Sequence, residues 1–251
     1  MTTFLEQTDT DVRRWDVPAP VQPRGVLVVV PGRGEHPGVY ERFGRRISSD
    51  GYLVYAVSDP TVDTAATRRQ IDDVLAGESA GGPRVLVGSD SGAAFVVTLA
   101  ASGAVAVEAL VLSGLPTGSA ASAELSWDDE LGTRTACSAH RMALSDDAGF
   151  ERGALSREVP ADWTQRGLAG VTVPVLGLHG SDDPVSPFDE VCPVYARAQR
   201  AELVAIAGGR HDALNDQTHR TAAATVVLFL ERLRLGADLS PIARTEELSA
   251  G

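Results

Sequence analysis

Val85-Leu86-Val87-Gly88-Ser89-Asp90-Ser91-Gly92-Ala93-Ala94, continued by Phe95-Val96-Val97-Thr98-Leu99-Ala100, is the stretch on which the reading of this chain turns. An apolar, β-branched run meets Gly-x-Asp-x-Gly, and small and apolar residues follow at helical spacing, which predicts a strand, a sharp turn and a helix. Asp90 stands at the tip of that turn. Glycines are required on either side of such a tip because a Cβ there would strike the neighbouring strand or helix. Ser89 and Ser91 flank the tip, but placing either one there shifts the glycine frame by a residue and aims its side chain elsewhere. The competing reading is a surface turn rich in Gly, Ser and Asp. Two further segments, in the right order along the chain, weigh against it.

The chain has 251 residues, 43% of them hydrophobic, enough for one large core. No Pro/Gly/Ser linker divides it, so one α/β domain with an insertion is the economical arrangement. Net charge is −12, and all 22 basic residues are arginine. An acidic chain without a basic run is a poor binder of phosphate backbones, which argues against nucleic acid as a partner. The first residues lack the charged and apolar regions of a signal peptide, and no apolar run has the length of a membrane span, so the expectation is a cytoplasmic protein with no membrane partner. Cys137 and Cys192 have no metal-ligand spacing and read as free thiols, and no metal or organic cofactor is implied.

Outward from the central stretch, Phe4–Thr8 and Val12–Val17 read as an edge hairpin. Gly25–Pro31 is an uninterrupted apolar run, as a strand buried on both faces requires. It enters the glycine-rich turn Gly32-Arg33-Gly34-Glu35-His36, and Glu41–Ser49 follows as a helix with Phe43 and Ile47 on one face. Tyr52–Val57 is a strand, Asp63–Leu75 a helix capped by Asp63, and Glu108–Leu112 a strand. Strand alternating with helix predicts a mostly parallel, doubly wound sheet. Over 115–170 the pattern weakens into acidic clusters and amphipathic pieces, read as a helical lid over the ligand crevice. The core returns at 171–235, with strands Val173–Gly180 and Ala201–Ala207 and a closing helix Thr221–Leu235. The first part of the core is thus 1–114, and 236–251 has little to bury and reads as a flexible tail.

These segments resemble the α/β-hydrolase superfamily over nearly the whole length, in the manner of its monoglyceride-lipase and lysophospholipase branch, whose turn is similar to Gly32-Arg33-Gly34-Glu35-His36. The order elbow, acid, histidine is the one that superfamily uses. The resemblance implies Asp183 as the acid, with Asp182 the alternative, and His211 as the histidine. Asp183 would fix one ring nitrogen of His211, leaving the other to handle protons. The backbone N–H groups of Arg33 and Ser91, in the turn opened by Gly32, would form an oxyanion hole. His36 and His179 read as structural, His140 lies in the lid and His219 follows the closing loop. At a helix N-terminus the Asp90 carboxylate is favoured as an anion, by about 0.3–1 kcal/mol at exposed sites.

The departure from that branch is the carboxylate at residue 90, where a lipase carries serine. A carboxylate attacks esters poorly because the mixed anhydride it would form is more reactive than the ester. Haloalkane dehalogenases and epoxide hydrolases use an aspartate nucleophile on alkyl carbon. The first follow it with tryptophan, where this chain has Ser91. The second use lid tyrosines, and 115–170 contains none. The favoured reading is therefore an Asp-His-Asp enzyme acting on a small acylated substrate, with Asp90 and His211 as base and acid expelling a carboxylate, for example acetate from an acylated tetronate, and with Arg33 holding an acidic substrate. The alternatives are an Asp-nucleophile or ester hydrolase and a non-catalytic ligand-binding member of the fold.

Overall fold

Every residue of β2 (Val26–Val30) is buried, because alternate side chains of this strand serve two different cores. Val26, Val28 and Val30 face one layer, and Leu27 and Val29 face the other. This is the physical content of an unbroken apolar run: both faces of the strand are covered. The computed structural model describes residues 12–78, 81–118 and 124–243. Its seven-stranded sheet has the order β1-β3-β2-β4-β5-β6-β7, where β1 is Arg13–Trp15, β3 Leu53–Ala56, β4 Arg84–Ser89, β5 Ala109–Ser113, β6 Val175–Gly180 and β7 Ala201–Ile206. β1 runs antiparallel to β3, and all other neighbours are parallel.

Helices cover both faces, as parallel crossovers demand. α1 (Glu41–Ser49) and α8 (His219–Leu235) bury Phe43, Ile47, Val226, Phe229 and Leu230 against one face. α2 (Thr64–Gly77) and α3 (Ser91–Ala101) bury Ile71, Phe95 and Val97 against the other. The Asp63 carboxylate caps α2 by accepting from the N–H of Ala66 at 2.8 Å. α7 (Phe188–Tyr195) crosses between β6 and β7 and carries Pro193 within it. Parallel register brings the C-terminal ends of β2, β4, β5, β6 and β7 to one edge, so the loops that follow them share one crevice.

Between β5 and β6 lie α4 (Trp127–Arg134), α5 (Ser138–Asp146), a short 3-10 turn at Ala154–Ser156 and α6 (Ala161–Gln165). The expected lid is not uniform. Leu131, Leu144 and Phe150 form a small apolar cluster of their own, whereas Val159, Trp163 and Leu168 join the main core, with the Trp163 ring 4.9 Å from Phe95 of α3 and tilted 45° to it. Two other expectations change. The strand expected over 12–17 shortens to Arg13–Trp15 and pairs with β3, while its expected hairpin partner lies outside the described residues. The start of the tail is anchored: Leu239 is 8% exposed within the core, and its carbonyl accepts from Arg232 Nε at 2.9 Å. No helix among the described residues is long and apolar enough to cross a membrane. No group of three or more His, Cys, Asp or Glu among them is placed to hold a metal ion.

Candidate active site

β4 ends at Ser89 and α3 begins at Ser91, so Asp90 alone makes the turn, at φ 47° and ψ −122°. A left-handed backbone at a residue with a Cβ costs on the order of 1–3 kcal/mol and persists only where the surroundings enforce it. Here the Asp90 N–H donates to the Ser113 carbonyl at 3.0 Å, and the Asp90 carbonyl accepts from Ala93 at 2.9 Å. A Cβ on Gly92 would lie 2.2 Å from the Val30 carbonyl oxygen, and one on Gly88 would lie 2.4 Å from Ala93 Cα. Both glycines are therefore sterically required. The turn projects a carboxylate, not a hydroxyl, into the crevice.

His211, in the loop after β7, lies between two carboxylates. Its Nδ1 is 2.8 Å from Asp183 Oδ2 and its Nε2 is 3.1 Å from Asp90 Oδ1. Asp183, rather than Asp182, meets the ring. Asp183 is held in turn by the N–H groups of Val185 (2.8 Å) and Ser186 (3.2 Å), while His179 Nε2 donates to the Ser186 carbonyl at 2.6 Å and lies 3.1 Å from Asp183 Oδ2. His179, read from sequence as structural, thus touches the acid that orients His211. Asp182 is exposed and accepts from its neighbour Ser181.

Arg33 departs from expectation. Its Nε and Nη2 donate to Asp90 Oδ2 and Oδ1, each at 2.8 Å, in a two-pronged ion pair, and its backbone N–H also donates to Oδ2 at 3.0 Å. Its Nη1 donates to the carbonyls of Leu155 (2.9 Å) and Arg157 in the segment above. Arg33, Asp90 and His211 are only 3%, 2% and 2% exposed. The Arg33 half of the expected oxyanion hole is consequently taken by Asp90. A carboxylate at the tip has acceptor oxygens of its own and takes up the donor that would otherwise face a substrate oxyanion. Ser91 is fully buried, with no partner for its hydroxyl among the described residues. Gly32 is not a free donor either: its N–H goes to Glu35 Oε2 at 2.9 Å. Its lack of a side chain is what admits Asp90, since a Cβ would lie 2.8 Å from Asp90 Cβ.

The charges set the protonation states. Burial pulls the His211 imidazole down, but the charge of Asp183 and the hydrogen bonds to Asp183 and Asp90 outweigh it and push the ring up to about 10. Burial would raise Asp90, yet the Arg33 guanidinium and the hydrogen bond from His211 hold it well below the usual carboxylate range. The resting site at neutral pH is two carboxylates, an imidazolium and a guanidinium, neutral in sum.

Sequence reasoning missed the second layer. Arg134 at the end of α4 is fully buried. It donates to Glu35 Oε1 (3.2 Å), the Arg33 carbonyl (2.8 Å) and Glu130 Oε1 (2.9 Å). The carbonyls of Thr133 and Arg134 accept from the N–H groups of His211 (3.4 Å) and Asp212 (2.9 Å). One helix end therefore holds both loops of the site. The signal was present as Glu130 and Arg134 at i, i+4 spacing, but that pattern usually marks a solvated helix face.

No protein-family model matches the sequence, and no curated protein matches it. Solved structures do. A soluble variant of monoglyceride lipase from Saccharomyces cerevisiae superposes with a TM-score of 0.71 at 16% identity, covering 88% of this chain and 90% of that one. A monoacylglycerol lipase from Paleococcus ferrophilus gives 0.68 at 18% identity, covering 86% and 98%. MenH from S. aureus gives 0.64 at 14%, covering 88% and 98%. Identities this low speak for the fold alone, and with the mostly parallel sheet, the strained turn after β4 and the convergence of loops at one edge they establish that this chain has the α/β-hydrolase fold.

Proposed function

We propose that the protein is an enzyme that cleaves a C–O bond of a small, acidic, acylated substrate by acid–base catalysis, with His211 as the acid and Asp90 as the base. One observation carries the reading: His211 lies between two carboxylates and is pushed up to about 10, so it holds its proton at neutral pH. A resting imidazolium cannot draw a proton from a serine, and it could activate water only after a covalent ester had removed the Asp90 charge. It can give one to a leaving group.

Asp90 becomes a useful base only when Arg33 leaves it, because the guanidinium depresses its proton affinity. A substrate carboxylate that pairs with Arg33 in place of Asp90 would supply that exchange. Asp90 then takes a proton from the carbon beside a carbonyl, and that electron pair forms a C=C bond. The C–O bond to the acyl group breaks, and the departing carboxylate takes the His211 proton. Asp90 afterwards returns its proton to His211. No water is consumed, and the products are an unsaturated carbonyl compound and a carboxylic acid. Loss of acetate from an acylated tetronate is the type of reaction meant.

The test is incubation with O-acylated β-hydroxycarbonyl acids in oxygen-18 water. The reading predicts release of unlabelled carboxylic acid together with the alkene. Label in the released acid would mean ester hydrolysis, label in the Asp90 carboxylate would mean a covalent alkyl ester, and either would overturn it. A second reading is a non-catalytic member of the fold, favoured by the mutual satisfaction of Arg33 and Asp90 in a nearly closed site. Ligand binding without turnover across such substrates would decide for it.

A further inference from the structure

A cavity of about 400 Å³ lies between α1 and the first turn of α8, and its polar lining is entirely basic: Arg42, Arg45, Arg46, His219 and Arg220. Phe43 and Leu214 supply apolar wall, and no acidic side chain borders the cavity. In a chain of net charge −12 this concentration of cations needs a reason. Arg45 and Arg46 are paired along α1 with Glu41 and with Asp50. Arg42 has no carboxylate: its guanidinium donates to the Asn215 carbonyl and, at 3.5 Å, to Cys137 Sγ. Arg220 has no ion-pair partner among the described residues, and the buried Nδ1 of His219 has no hydrogen-bond partner among them. Burial, and then the charges of Arg42 and Arg220, push the His219 ring down. Repulsion between cations is thus left standing in this pocket. The N-terminus of α8, a 17-residue helix, adds its own partial positive charge.

We propose that this cavity is a binding site for a doubly charged phosphate group, held between Arg42 and Arg220 with His219 donating from its ring. The site is separate from the charged cluster at Asp90 and does not depend on the reaction assigned there. Two guanidinium groups and an imidazole match the three acceptor oxygens of a phosphomonoester. The cavity has room for several atoms beyond the phosphate, so a phosphorylated small molecule is the class of ligand it would take.

The experiment follows the His219 ring Cε1–H signal by proton–carbon NMR through a pH titration, assigned with His219→Gln. It is run in sodium chloride, then with inorganic phosphate and with glycerol 3-phosphate at matched ionic strength. The proposal expects a saturable rise of the His219 pKa toward its ordinary value of 6.5 or above with either phosphate compound, and loss of most of that rise in Arg220→Gln. Tighter binding of glycerol 3-phosphate would identify a phosphomonoester as the occupant, and tighter binding of inorganic phosphate would identify the free ion. Responses equal to that in chloride would reduce the effect to screening and overturn the proposal, as would a full response in Arg220→Gln. Arg42→Gln is the companion variant. Arg220, being exposed, is the one whose replacement leaves the packing intact.

Discussion

The two carboxylates that flank His211 are both buried and both below their ordinary range, yet they are held by different kinds of group. Asp183 is fixed by backbone N–H groups of its own turn, donors that cannot leave without unfolding the loop. Asp90 accepts from one backbone N–H, that of Arg33, and otherwise from side chains, chiefly the two prongs of the Arg33 guanidinium. The contrast is what the proposed chemistry needs: one carboxylate that orients His211 and another whose main partner is a side chain that a substrate anion could engage.

The sharpest way to break that contrast is to remove charge from each side. Asp90→Asn should lower kcat on an acylated β-hydroxy acid by roughly 10²–10⁴-fold, the usual worth of a general base. Full activity in this variant would take Asp90 out of the chemistry. Arg33→Met leaves Asp90 buried without its guanidinium and should cost about 3–5 kcal/mol of stability in denaturant unfolding, whereas Arg33→Met with Asp90→Leu should recover most of it. Failure of the double variant to recover would mean that the pair contributes more than mutual neutralisation.

A smaller effect follows from linkage. His211 is pushed from 6.5 up to about 10, so its contribution is fully present below pH 6.5 and is lost as pH rises through 10, at no more than about 1.4 kcal/mol per pH unit. Asp90 and Asp183 are lowered, so theirs is present above the ordinary carboxylate value of 3.8 and is lost as pH falls below it. Thermal unfolding should therefore show a plateau between about pH 4 and 6.5 and a decline on the alkaline side, and that decline should shorten in Asp90→Asn. The least change is expected far from either carboxylate. Asp63→Ala removes the cap of α2 and should cost about 1 kcal/mol without touching kcat, and a larger loss would mean that α2 supports the site.

The sheet was legible wherever an apolar run was long enough to need cover on both faces, as at Val26–Val30 and Val175–Gly180, and the helix Glu41–Ser49 begins and ends where its pattern does. α7 was not legible because Pro193 stands inside it, and the anchoring of the tail rests on one leucine in a polar stretch. At the site, the turn at Asp90 was readable because glycine spacing is a steric requirement that leaves a local mark. The pairing of Arg33 with Asp90 was not, because the two are 57 residues apart in sequence. A pairing between loops leaves no periodicity for a sequence to display. The same holds for Arg134, whose partners come from the turn after β2 and from its own helix.

The most direct test of the central claim is a proton–nitrogen NMR titration of the His211 ring from pH 5 to 11. Protons are expected on both ring nitrogens at pH 8, one toward Asp183 and one toward Asp90, with loss of the second only as pH passes about 10, and an earlier loss in Asp90→Asn. A ring that titrates near 6.5 and holds a single proton at pH 8 would contradict it.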